Sequence, residues 1–137
     1  MKPRYSVQEY VLAFEAFCLL GIARACVLFL PFHFVSKGLG KDNPIQIREK
    51  DEPRMLNVKL AIARASRHTP WTSNCLAQSL AAAWMLGRRQ ISSSTYLGVK
   101  RDNNGSMIAH SWTISGEQFV TGKKGHETFH VTQTFYR

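Results

Sequence analysis

The sequence is short of acidic side chains, with nine Asp and Glu against eighteen Lys and Arg, a net charge of +9 and a pI near 9.9. Asp42, Glu49, Asp51 and Glu52 crowd into one stretch, so the paired carboxylates that glycoside chemistry needs are missing. Cysteine is scarce too. Cys18, Cys26 and Cys75 are odd in number, and their spacing matches no zinc site or disulfide framework. Neither a metal nor a cofactor is called for. No cleavable signal is evident, which fits a reducing, cytoplasmic setting. No Gly-rich phosphate loop and no Gly-x-Ser-x-Gly elbow occurs. Zinc-finger and aromatic-basic RNA-binding signatures are also missing, and the basic residues are scattered, so nucleic acid is not an expected partner. The positive balance favours acidic partners or an anionic membrane surface. Glu15 and Arg24 interrupt the one long apolar run before it reaches ~18 uncharged residues.

What is present suits one domain of 137 residues with an ordinary apolar fraction of 45%. Residues 1–35 form an apolar helical segment that Pro31 interrupts. It suits a helix packed on the domain or on a partner, with membrane association as the other reading. Residues 36–54 read as a connector, broken by Gly38, Gly40, Pro44 and Pro53. Residues 55–137 hold the remaining pattern. A helix runs through Met55–Ser66 with Leu56, Leu60 and Ala63 at helical spacing. Pro70 stops it, Thr72 and Ser73 are good N-caps, and another helix extends to about Gly87 with Leu76, Leu80, Ala83 and Trp84 inward. Strands follow at Thr95–Val99, Ile108–Ile114, Phe119–Thr121 and Phe129–Phe135, the first two joined by the Asn103-Asn104-Gly105 turn. Helices first and an antiparallel sheet afterwards make an α+β fold.

Cys75 stands at the first turn of a helix, where unpaired backbone N–H groups and the positive dipole end favour a thiolate. The same N–H groups can hold an oxyanion. A thiol nucleophile needs a base, and His110, in Ala109-His110-Ser111-Trp112 just after the hairpin, is the best placed of five histidines. His68 precedes the capping turn and should face solvent. His33, His126 and His130 sit near turns or strand ends. Cys18 and Cys26, eight apart among apolar residues, read as inert core thiols. Asn74 and Trp71 could add an oxyanion donor beside the Cys75 N–H, or could simply cap and pack. Trp112 could line a substrate site or pack in the sheet.

The string Thr69-Pro70-Trp71-Thr72-Ser73-Asn74-Cys75-Leu76-Ala77-Gln78-Ser79-Leu80 resembles the nucleophile helix of lasso-peptide leader peptidases. Tyr96-Leu97-Gly98-Val99 and Ala109-His110-Ser111-Trp112 are similar to that family's hairpin strands, and Phe119-Val120-Thr121-Gly122 resembles its stand-alone form. The resemblance implies a transglutaminase- or papain-like fold with the nucleophile helix packed on a small antiparallel sheet. It also implies a cysteine peptidase that removes the leader from a ribosomally made lasso precursor peptide. A separate leader-recognition protein would present the substrate, and an ATP-dependent lasso cyclase would act next. Cys75 would be the nucleophile and His110 the base. Longer relatives carry an aspartate about a dozen residues after the histidine; here Thr121-Gly122 fills that place. Thr121 or a backbone carbonyl is then expected to hold the ring, with Glu117 and Glu127 as alternatives. The competing functions are another cysteine hydrolase or acyl-transferase of this fold, and a peptide-binding module without catalysis.

Overall fold

The computed structural model describes residues 4–41, 52–69 and 74–137. Ser6 opens the first helix with a reciprocal capping box: its hydroxyl accepts from the Glu9 N–H, and the Glu9 carboxylate accepts from the Ser6 N–H at 2.7 Å. That helix, α1, spans Val7–Phe29. Pro31 does more than end it: with its fixed φ it opens a short helix, α2, at Phe32–Leu39. The connector expected from residue 36 therefore begins as helix. Helices α3 (Glu52–Ser66) and α4 (Cys75–Arg88) follow.

One core holds the helices together. Leu12, Ala16 and Leu20 of α1 meet Met55, Val58, Ala61, Ile62 and Ala65 of α3 and Ala81, Ala82, Met85 and Leu86 of α4. The alanines let three helix backbones approach closely, and α4 is buried nearly all round. The inward face of α3 is thus Met55-Val58-Ile62-Ala65, while Leu56 and Leu60 remain 45% and 39% exposed. Two overlapping apolar series at helical spacing run through this segment, and tertiary packing chose the other one. A second core joins Ala23, Val35, Leu39, Ala77 and Leu80 to Phe135 of the sheet. Cys18 is exposed, which corrects the expectation of a core thiol there, while half-buried Cys26 packs against the second core.

The sheet is antiparallel throughout, in the order β3-β2-β1-β4, with β1 at Ser94–Arg101, β2 at Met107–Ser115, β3 at Gln118–Thr121 and β4 at His130–Tyr136. The β1–β2 hairpin closes through Asp102, whose carboxylate accepts from the Asn104 and Ser106 N–H groups, with Gly105 at φ 82°. Pleating divides the residues of this hairpin. Thr95, Leu97, Ser111 and Thr113 face the helices, with the buried Thr95 and Thr113 hydroxyls 3.0 Å apart. Tyr96 and Trp112, opposite each other in register, stack on the other face.

Candidate active site around Cys75 and His110

Cys75 is the first residue of α4 and is half-buried. Its helix is capped by Asn74, whose side-chain oxygen accepts from the Ala77 N–H at 3.0 Å. Asn74 thus acts as the helix cap through its oxygen. Trp71, Thr72 and Ser73 lie outside the described residues.

One turn further along α4, the buried Ser79 hydroxyl lies 3.0 Å from the Ser111 hydroxyl of β2 and 3.3 Å from that of Thr121 in β3. This three-hydroxyl cluster seats the helix on the two strands, with every member hydrogen-bonded. It occupies Thr121, whose side chain is therefore at α4 and not at His110. Because Cys75 is four residues before Ser79, it shares that side of α4.

His110, next to Ser111, sits on β2 opposite Gly98. Its ring lies on the other face of the pleat, 5.7 Å from Trp112 and 5.1 Å from Phe129 between centroids. Nε2 of His110 is 2.8 Å from the Gly122 carbonyl oxygen. A carbonyl only accepts, so Nε2 carries the proton and donates, and Nδ1 of the neutral ring keeps its lone pair. Among the described residues no hydrogen bond joins the Cys75 thiol to this ring.

Gly122 can offer that carbonyl because it is glycine. Its φ is 74°, and a Cβ there would come within 2.8 Å of the Trp112 Cα and closer still to the Ser111 carbonyl. The chain thus passes tightly over β2 as β3 ends. Sequence reasoning allowed for a backbone carbonyl but did not single out Gly122. The signal was a glycine in the place where an orienting acid was expected.

The other candidates fall elsewhere. Glu127 lies 3.3 Å from Nδ1 of His126, and Glu117 is exposed at the β2–β3 turn. Trp112 is only 4% exposed, stacked on Tyr96 and beside His126, so it packs the outer face of the sheet and offers substrate little surface. His68 is exposed, as expected. No cluster of three metal-binding side chains occurs among the described residues.

The profile of the transglutaminase-like superfamily matches residues 18–134, from the middle of α1 to the last strand. The chain belongs to the transglutaminase-like superfamily. No curated protein and no solved structure matches it significantly. The superfamily includes cysteine peptidases, and its members are commonly cysteine hydrolases or acyl-transferases.

Proposed function

We propose that this transglutaminase-like protein is a cysteine peptidase that removes the leader from a ribosomally made lasso precursor peptide. The observation that carries the proposal is the hold on His110. Its Nε2–H donates to the Gly122 carbonyl, which sets the tautomer in which Nδ1 can take a proton. A backbone carbonyl thereby does the orienting work that a carboxylate does in a triad, with a partial charge in place of a full one.

In this mechanism the Cys75 sulfur attacks the last leader carbonyl carbon and Nδ1 of His110 takes the thiol proton. The oxyanion meets the free N–H groups at the start of α4. Collapse breaks the C–N bond, His110 gives its proton to the departing amine, and a thioester remains on Cys75. Water, deprotonated by His110, then hydrolyses the thioester and frees the leader as an acid. Contact between thiol and ring during turnover is part of the proposal. So are the leader-recognition protein that presents the precursor and the cyclase that takes up the new amine.

Incubation of the purified protein with a lasso precursor and its leader-recognition protein tests this reading. The expected result is a core peptide with a free amine, lost on Cys75→Ala and on His110→Ala. Cleavage that survives Cys75→Ala would refute it. Transfer of the leader acyl group to an added amine, without hydrolysis, would move the protein to the acyl-transferase class.

A further inference from the structure

We infer that the outer face of α1 and α2 is a docking surface for an anionic lipid bilayer, on which the protein lies flat. The proposal is independent of the chemistry at Cys75.

The first observation is the stripe itself. Val7, Val11, Phe14, Cys18, Ile22 and Phe29 recur at steps of three, four and seven along α1, so they share one face. All are exposed, Phe14 by 69% and Phe29 by 81%. An exposed helix face is ordinarily polar, yet this one is apolar along about 34 Å of helix apart from Glu15 at its edge. Phe32 and Phe34 of α2 are exposed as well, and the Lys37 ammonium sits 5.5 Å over the Phe34 ring. A continuous apolar surface of this length needs a cover.

Charge identifies the cover. Residues 4–41 contain two acids, and both turn back into the protein: Glu9 bonds Ser6 and pairs with Arg64 at 3.6 Å, and Glu15 takes hydrogen bonds from Arg88 and Arg89. Arg4, Arg24, Lys37 and Lys41 remain on the same segment, in a chain whose net charge is +9. Two such chains repel each other across this face, whereas an anionic headgroup layer attracts it. Exposed phenylalanines with flanking Lys and Arg have the composition of an interfacial helix.

The opposite face of α1 excludes a span. The helix is long and apolar enough to cross a bilayer. However, Leu12, Ala16 and Leu20 are core residues packed on α3 and α4, and Glu15, at the edge of the stripe itself, is held by Arg88 and Arg89 at the end of α4. Crossing would strip that core, so α1 can only lie in the interface plane. A cavity of about 640 Å³, lined by Tyr5, Tyr10, Phe14, Phe17, Arg64 and His68, flanks the N-terminal half of the stripe. Its aromatic walls suit an acyl chain, and Arg64 at its wall is already paired with Glu9, which also lines the cavity.

Cosedimentation of the full chain with vesicles tests the inference. Vesicles of phosphatidylcholine mixed with phosphatidylglycerol should bind the protein, and phosphatidylcholine alone should bind it about fivefold more weakly for each basic side chain engaged. Phe14→Asp and Phe29→Asp should each abolish binding with the melting temperature unchanged, because both side chains already face outward. Should either variant melt lower, Phe14→Ser and Val11→Ser carry the comparison. Equal binding to both vesicle types, or none, would overturn the inference. So would a concentration-dependent dimer abolished by Phe14→Asp, since the cover would then be a second copy.

Discussion

His110 and Gly122 form the contact on which the proposed chemistry turns. A Cβ at residue 122 must hold φ 74° and clear the Ser111 carbonyl, so Gly122→Ala should cost at least about 1–2 kcal/mol in urea unfolding. It should also shift the carbonyl from Nε2 and lower precursor cleavage roughly ten- to hundredfold, part of what an oriented base supplies. Gly125 is the matched control: φ there is 80°, but nothing lies near its missing Cβ. Gly125→Ala should cost less stability and leave cleavage within about twofold, because it strains only its own backbone. Equal cleavage by the two variants would contradict the role given to the Gly122 carbonyl. The place of Cys75 at a helix start was legible in the sequence, since Pro70 and the polar residues before it mark a helix beginning. Gly122 was less so, because a backbone carbonyl carries no signature of its own. Ser79 and Ser111 were not legible at all. Small hydroxyls suit turns and surfaces equally well, and only the packing of α4 on β2 brings these two within 3.0 Å of each other.

Helix α4 presents the cysteine, and its first turn depends on Asn74. Asn74→Ala removes the acceptor for the Ala77 N–H and should destabilise the protein by about 1 kcal/mol, measured by urea denaturation. Asn74→Asp keeps the acceptor and should restore most of that loss. No recovery would mean that the amide acts in some way other than as a cap. The elements themselves were mostly readable. Periodicity and the Asn-Asn-Gly turn marked the long helices and all four strands to within a residue or two at most ends. Helix α2 escaped because Gly38 and Gly40 resemble linker residues, although a Cβ at Gly38 would press within 3.0 Å of Leu80 and Trp84. That glycine serves close packing against α4. The inward phase of α3 escaped because Met55, Val58 and Ile62 are as regularly spaced as Leu56 and Leu60.

For the whole molecule, Glu15 links the apolar helix α1 to the end of α4. Hydrogen bonding from Arg89, with the charges of Arg89 and Arg88, outweighs partial burial and holds its carboxyl below the ordinary value of 4.5. A carboxyl whose pKa is lowered by folding stabilises the fold above its unfolded value and loses that stabilisation as pH falls through the folded one. Glu15→Gln should therefore destabilise the protein by about 1–2 kcal/mol at neutral pH, and the gap should close below about pH 4. A gap that persists in acid would show that shape, and not charge, makes this link. The three cysteines allow the most direct test of the central claim, that Cys75 is an activated nucleophile served by His110. Limiting iodoacetamide can be followed by peptide mass spectrometry in the native protein and in His110→Ala. Exposed Cys18 is the internal reference, and alkylation tracks the thiolate. The prediction is that half-buried Cys75 is labelled ahead of exposed Cys18, and that His110→Ala removes its lead. Labelling of Cys18 first, or a Cys75 rate indifferent to His110, would contradict the account.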